Sequence, residues 1–183
     1  MEGSLNPLHF IGQEGWVVPD PNGATNSEGL IALSWDLEPE LYDRCYPKGI
    51  FPWFEAGEEI LWWSPDPRMV LRPADVRISR SLRKTLRNSR WQLRYDSAFS
   101  DVIRSCAKTR NYQSPEGGTW ISAEMEQAYE ALHRLGVAHS IEVFSGDTLV
   151  GGLYGLLMGD VFFGESMFHR ETGASKEIGR AHV

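Results

Sequence analysis

Three sets of side chains in this 183-residue chain have the types and spacing to do chemistry. The first is Gly49-Ile50-Phe51-Pro52-Trp53-Phe54, followed by Ile60-Leu61-Trp62-Trp63-Ser64-Pro65-Asp66-Pro67-Arg68. Three prolines and three of the seven tryptophans fall together there. Dense aromatics usually build a core, but prolines at this density keep one regular central strand or helix from accounting for them all. The segment reads as a rigid aromatic wall, suited to packing or to gripping something flat. The second set is RISRSLRKTLRNSR, from Arg77 to Arg90, with six cations and no acid. Ser79 or Ser81 is placed to cap a helix there. Arg80, Arg83, Lys84 and Arg87 then share one face, and Leu82 and Leu86 another that turns to a core. Like charges at that spacing repel, so the run reads as a solvated helix face or as a phosphate-binding one. The third is Glu165, the lone acid in the run from Val161 to Phe168. Its carboxylate is held by a structural hydrogen bond, turned outward in the pleat, or used to recognise a cationic or amino group.

The elements that must position these groups fall into two parts. Residues 1–66 are loop-rich, with turn signals at Pro19-Asp20-Pro21-Asn22-Gly23. One short helix begins near Asp36, runs through Leu37, Leu41 and Cys45, and is stopped by Pro47 and Gly49. From about residue 67 the chain is more regular, and Met69-Val70-Leu71 and Trp91–Tyr95 read as short strands. Ser97–Lys108 reads as a helix with Phe99, Val102, Ile103 and Cys106 on one face and Asp96 as its N-cap. Ser122–Leu135 repeats the pattern through Met125, Tyr129, Leu132 and Leu135, with Gly136 as C-cap. Three strands follow, at about 139–145, 148–158 and 161–168, and the short turns between them make an antiparallel meander.

Composition narrows the function classes. The chain can bury one good core, or one core and a smaller satellite. Its 18 Lys+Arg against 25 Asp+Glu give a net charge of −7. That balance argues against non-specific coating of nucleic acid or anionic membrane, and it gives the isolated basic run more weight as an anion site. No apolar run is long enough to span a bilayer. MEGSLNPLHFIGQEG lacks the basic region and apolar stretch of a signal peptide. Cys45 and Cys106 form no CxxC and are expected as reduced, packed thiols of a cytosolic protein. Neither they nor the five histidines show metal-ligand spacing. Gly151-Gly152-Leu153-Tyr154-Gly155 lies mid-strand without GxGxxG spacing, so a close backbone approach or a bulge explains its glycines better than a nucleotide loop. Gly164-Glu165-Ser166 lacks the second glycine of a nucleophile elbow, so Ser166 is not read as a nucleophile.

The segments GLIALSWDLEPE, GIFPWF, ILWWSPDPR, ISRSLRK, GTWIS, AYEALHRLGVAHSIEV, LVGGLYG and GESMFHR…ASK follow in this order. Together they closely resemble the bacterial leucyl/phenylalanyl-tRNA–protein transferases, from about Gly29 to Lys176. The resemblance implies an α+β fold. A small N-terminal domain would span 1–66, and a GCN5-related N-acetyltransferase-like domain with an antiparallel meander would span 67–183, incomplete at its C-terminus. It implies a cytoplasmic aminoacyltransferase that uses no cofactor, no metal and no membrane. Leu-tRNA and Phe-tRNA would be the donors, with Met-tRNA weaker. The acceptors would be proteins with N-terminal Arg or Lys, marked by the new peptide bond for N-degron degradation. Carried over residue by residue, Trp53 and Trp120 match the aromatics that stack on the tRNA 3′ adenosine. Leu153 and Phe162 match the aminoacyl pocket, with Leu at 153 where the longer Met is common. Arg80, Lys84 and Arg87 match the cluster on the tRNA acceptor stem, and Glu165 matches the catalytic acid near the reacting centre. Trp62 and Trp63 are expected to brace the seam between domains.

The chain also departs from that family. After Ala174-Ser175-Lys176 a family member continues in a helix and carries an Asp-x-Gln motif implicated in handling the amine proton. Here the sequence runs Glu177-Ile178-Gly179-Arg180-Ala181-His182-Val183, with Gly179 expected to break the helix. The expectation is a C-terminally truncated copy, inactive or poorly folded in this form. Trp35 stands where a glycine is common, Pro47 interrupts a helix, and Arg77 stands where a histidine is frequent. Two other classes compete. An acyl-CoA-dependent acetyltransferase would need a Gln/Arg-x-x-Gly-x-Gly/Ala pyrophosphate loop, which the sequence lacks. A non-catalytic RNA-binding module would bind uncharged tRNA without turnover.

Overall fold

A computed structural model describes residues 7–113 and 119–180. Those residues form an α+β protein with two four-stranded sheets. The chain divides into two compact units, Met1–Arg68 with Thr119–Ala131, and Met69–Gly118 with Leu132–Val183.

In the first unit, β1 (His9–Phe10), β2 (Leu30–Ser34), β3 (Phe51–Pro52) and β4 (Ile60–Trp63) make a sheet of order β1-β2-β4-β3. β1 runs parallel to β2 and the other pairs are antiparallel. The proline-rich segment resolves simply: Pro52 sits on an edge strand, where its missing N–H costs nothing, and the proline-free Ile60–Trp63 takes an interior position. Helix α1 (Pro39–Cys45) starts three residues later than Asp36. Pro39 fits the first turn, while Glu38 before it is held extended at ψ 141. A 3-10 turn over Tyr46–Lys48 and a left-handed Gly49 then end it. Trp62 is fully buried in this unit. It lies edge-on to Tyr42 and donates from its indole N–H to Ser34 Oγ at 2.9 Å. Tyr42 also meets Tyr129 edge-on, and the hydroxyls of Tyr46 and Tyr129 are 2.9 Å apart. These tyrosines and Trp62 form an aromatic core whose polar tips are satisfied.

In the second unit, β5 (Trp91–Tyr95), β6 (Ala138–Ser145), β7 (Thr148–Met158) and β8 (Val161–His169) form an antiparallel sheet in sequence order. The last three are the meander read from the sequence. The remaining helices of the chain are α2 (Arg80–Arg87), α3 (Phe99–Gln113), α4 (Ala123–Arg134) and α5 (Ala174–Arg180). Two adjacent glycines show how the sheet is covered. A Cβ on Gly152 would lie 2.8 Å from Val102 of α3, and one on Gly151 would lie 3.2 Å from Ala174 of α5. Successive strand residues point to opposite faces, so α3 and α5 sandwich the sheet, each approaching where a side chain is missing. Val143, Val150, Ala174 and Ile178 form the core beneath α5, with Trp91, Leu93 and Leu153 packed against it.

Several sequence expectations change here. Met69-Val70-Leu71 forms no strand and is exposed, since a short apolar run without a ladder partner has nothing to hold it extended. Asp96 does not cap α3, whose first turn is closed by Val102 N–H on the Ala98 carbonyl. Asp96 instead adopts φ 53 and accepts the Ser140 N–H at 2.8 Å, with His139 Nδ1 also at 2.8 Å. Leu135 is exposed because α4 has already ended. Gly136, at φ 73, bonds to the His133 carbonyl and Val137 to that of Leu132, a Schellman turn. Gly179 does not break α5, which continues to Arg180. A helical glycine costs only about 1 kcal/mol, and buried Ala174 and Ile178 dock this helix on the sheet.

Candidate active site

Glu165 owes its position to a bulge. β7 and β8 pair Tyr154 with Ser166 but Gly155 with Gly164, so Glu165 is the extra residue between two rungs. A bulge bends the strand and re-aims the side chain it carries. Gly155 is the counterpart: a Cβ there would fall on the Phe163 carbonyl and lie 2.7 Å from Phe162 Cζ. Gly155 is thus the sequence cause of the close approach, and the bulge places a half-buried carboxylate outside the regular pleat. Ser166 is buried mid-strand, away from any turn that could present it as a nucleophile.

Leu153 and Phe162 come together over Gly164. A Cβ on Gly164 would sit 3.8 Å from Leu153 Cδ1 and 3.9 Å from Phe162 Cε1. The two apolar side chains therefore flank a spot left open by a glycine, one residue from Glu165. Both are half-buried. An apolar pair next to an acidic residue suits contact with an aliphatic or aromatic side chain.

Trp53 and Trp120 both belong to the first unit. Trp53 follows β3, and its N–H donates to the Leu61 carbonyl at 2.9 Å. Its own carbonyl accepts the Trp63 indole N–H at 2.7 Å, and the two rings meet edge-to-face at 6.1 Å. The backbone and one ring edge are fixed while the Trp53 ring stays 53% exposed. A pinned, exposed indole is a stacking surface with little freedom to lose. Trp120 is half-buried at the entry to α4, where the Met125 N–H donates to the Ser122 hydroxyl as an N-cap. Glu124, in that first turn, has its carboxyl pKa lowered, chiefly by the Ser122 hydroxyl.

Helix α2 presents Arg80, Arg83, Lys84 and Arg87, all exposed and all on one side. Its first bond runs from Arg83 N–H to the Ser79 carbonyl, so Ser79 rather than Ser81 precedes the helix. Leu86 is buried, while the Leu82 side chain lies outside the described residues. No acid pairs with these four cations among the described residues.

Two features had no clear sequence signal. Glu142, fully buried on β6, accepts the Ser97 N–H and hydroxyl and the Ser140 hydroxyl. That satisfied carboxylate pins the corner between β5 and α3. Phe10 and Trp35 form an exposed ring pair with centroids 5.0 Å apart. Trp35 was legible as a departure, but its partner was not, because β1 is only two residues long. Among the described residues no three His, Cys, Asp or Glu side chains could share a metal ion. No helix is long and apolar enough to cross a membrane among them.

Comparison with known proteins identifies the family. Residues 70–178 match the leucyl/phenylalanyl-tRNA protein transferase family, and residues 36–66 match the N-terminal domain of the same proteins. A leucyl/phenylalanyl-tRNA–protein transferase of Shewanella baltica (strain OS185) is 51% identical over 173 residues, covering 94% of this chain and 72% of the relative. One from Aromatoleum aromaticum is 54% identical over 158 residues, covering 86% of this chain and 65% of the relative. The chain belongs to the leucyl/phenylalanyl-tRNA–protein transferase family, whose members are aminoacyltransferases.

Proposed function

We propose that the protein transfers Leu or Phe, and Met less well, from aminoacyl-tRNA to the N-terminal Arg or Lys of cytoplasmic proteins, marking them for N-degron degradation. Residues 1–66 act as a small N-terminal domain and 67–183 as a domain similar to the GCN5-related acetyltransferases. The observation that supports the reading is the bulge at Glu165, next in the chain to Gly164, over which Leu153 and Phe162 meet. The donor side chain packs against that pair. Trp53 and Trp120 stack on the terminal adenine, an interaction worth about 1–3 kcal/mol per base that selects no sequence beyond it. Arg80, Lys84 and Arg87 hold the acceptor-stem phosphates, and backbone contacts of that kind accept several tRNAs.

The reaction is aminolysis of an ester. The lone pair of the acceptor α-amine attacks the ester carbonyl carbon and a C–N bond forms. The C–O bond to the terminal ribose then breaks, and the proton lost by nitrogen ends on the ribose oxygen. A free α-amino group has a pKa of about 7.7–8.0, so a useful fraction is neutral near pH 7. Orientation and stabilisation of the developing oxyanion supply most of the rate. Glu165 accepts a hydrogen bond from the incoming amine and aims its lone pair. The test is transfer of labelled Leu from Leu-tRNA to a peptide beginning with Arg. Label in that peptide, and none in its N-acetylated or Asp-initiated counterpart, is expected. Equal labelling of all three, or of none, would refute the proposal.

A further inference from the structure

The WWSPDPR segment ends in Arg68, whose guanidinium turns back on the GIFPWF segment within the same unit. Its Nη1 donates to the Gly49 carbonyl at 2.9 Å, and its Cζ lies over the Phe51 ring, 4.8 Å from the centroid. Burial alternates along GIFPWF: Ile50, Pro52 and Phe54 are buried, Phe51 is half-buried and Trp53 is exposed. That alternation puts Phe51 and Trp53 on the outward side of β3. Trp63, directly opposite Phe51 in register, shares that side and meets the Trp53 ring edge-to-face. Arg68 on Phe51 is thus linked through Trp63 to the exposed Trp53 indole.

The segment that carries Trp53 needs such an anchor. β3 is two residues long, lies at the sheet edge and includes Pro52, which has no N–H to give a ladder. Ordering a loose segment when a ligand arrives subtracts from affinity, so one held beforehand binds better. Arg68 is itself placed by a backbone contact three residues earlier. The Ser64 N–H donates to the Gly29 carbonyl at 2.7 Å, and a Cβ on Gly29 would fall 2.6 Å from the Pro65 nitrogen. A side chain at position 29 would force those two backbones apart. At the other end, a guanidinium can donate to a carbonyl and lie flat on a ring at once, which an ammonium cannot.

We propose that Arg68 is a positioning residue for Trp53: it clamps the backbone and the ring that precede Trp53, so that the indole is held ready for the terminal adenosine. The inference rests on the reading of Trp53 as an adenosine-stacking side chain. The test is a double-mutant cycle on the affinity of a fluorescein-labelled oligoribonucleotide ending in CCA, measured by anisotropy over a range of salt. Arg68→Ala should weaken binding about two- to fivefold, the worth of an exposed cation–π contact, and leave the log–log salt slope unchanged. In a Trp53→Ala background the same change should have almost no effect, because Arg68 acts through that ring. Arg68→Lys keeps the charge without the stacked plane and should resemble Arg68→Ala. Exchange of the Trp53 amide hydrogen, followed by NMR, should speed up in both Arg68 variants. A salt slope lowered by about 0.7, with the loss persisting in the Trp53→Ala background and restored by Lys, would make Arg68 a phosphate contact and overturn the proposal. Parental exchange at Trp53 in Arg68→Ala would overturn it too. Unchanged affinity in Trp53→Ala alone would strike the adenosine reading, while faster exchange in the Arg68 variants would leave the clamp standing.

Discussion

Replacing Gly155 by Ala isolates the device that places Glu165. The three strand glycines grade the expected cost. At Gly151 an added Cβ would sit 3.2 Å from the Ala174 methyl, a neighbour that need yield only a few tenths of an ångström. Ala also lowers unfolded-chain entropy, a gain of about 0.4–1 kcal/mol, so Gly151→Ala should fall within about 1 kcal/mol of the parent. At Gly152 the obstacles are the Val102 and Phe168 side chains at 2.8 and 2.9 Å, and ordinary overpacking of about 1–3 kcal/mol applies. At Gly155 the obstacle is the Phe163 backbone carbonyl, which cannot rotate away, with Phe162 Cζ at 2.7 Å behind it. The cost there should reach about 3 kcal/mol or more, which for a chain of this size lowers Tm by roughly 6–12 °C. Thermal unfolding by circular dichroism gives the ranking, and Leu transfer well below Tm gives the functional half. Gly152→Ala should keep near-parental transfer while Gly155→Ala loses it, because straightening the bulge re-aims Glu165 and shifts Phe162. A Gly155→Ala protein as stable and active as Gly151→Ala would refute the reasoning.

Three further outcomes are expected. Trp53→Ala should weaken Leu-tRNA binding by about 1–3 kcal/mol in a filter-binding titration while leaving Tm nearly unchanged, since its ring is half exposed. Arg80→Ala/Lys84→Ala should flatten the log–log salt dependence of tRNA binding by about two units, one for each lost phosphate contact; equal slopes in parent and double variant would sink the α2 assignment. Burial pushes the Cys45 thiol from 9.0 up to about 12. A raised thiol pKa means that folding favours the neutral form, so its contribution is complete below about pH 9 and is lost as pH rises toward 12. In that window stability should fall by up to about 1.4 kcal/mol per pH unit more steeply in the parent than in Cys45→Ala, read from urea midpoints.

Much of the second unit was legible because its signals are local. Alternating and continuous apolar runs fixed β6, β7 and β8 to within a residue or two, and Gly136 marked the end of α4. The Gly151–Gly155 run was readable as close approach or a bulge, and it is both. What stayed hidden depends on partners distant in sequence. The first unit's sheet joins two-residue strands whose pairing no periodicity announces. Asp96 looked like a cap because cap propensity is local, yet its carboxylate is taken by Ser140 and His139 more than forty residues away. Glu165 stood out by composition, but its position as the bulge residue follows from register, which one strand cannot reveal.

The central proposal is that Leu153 and Phe162 take a large apolar aminoacyl group. Its most direct test is the affinity of hydrolysis-resistant 3′-aminoacylamido adenosines, measured by calorimetry. Leucyl exceeds alanyl by three carbons, worth about 0.8 kcal/mol each when buried, or roughly fiftyfold in affinity. That preference is expected in the parent and should shrink when Leu153 or Phe162 is cut to Ala. Alanyl and leucyl compounds binding equally would contradict it.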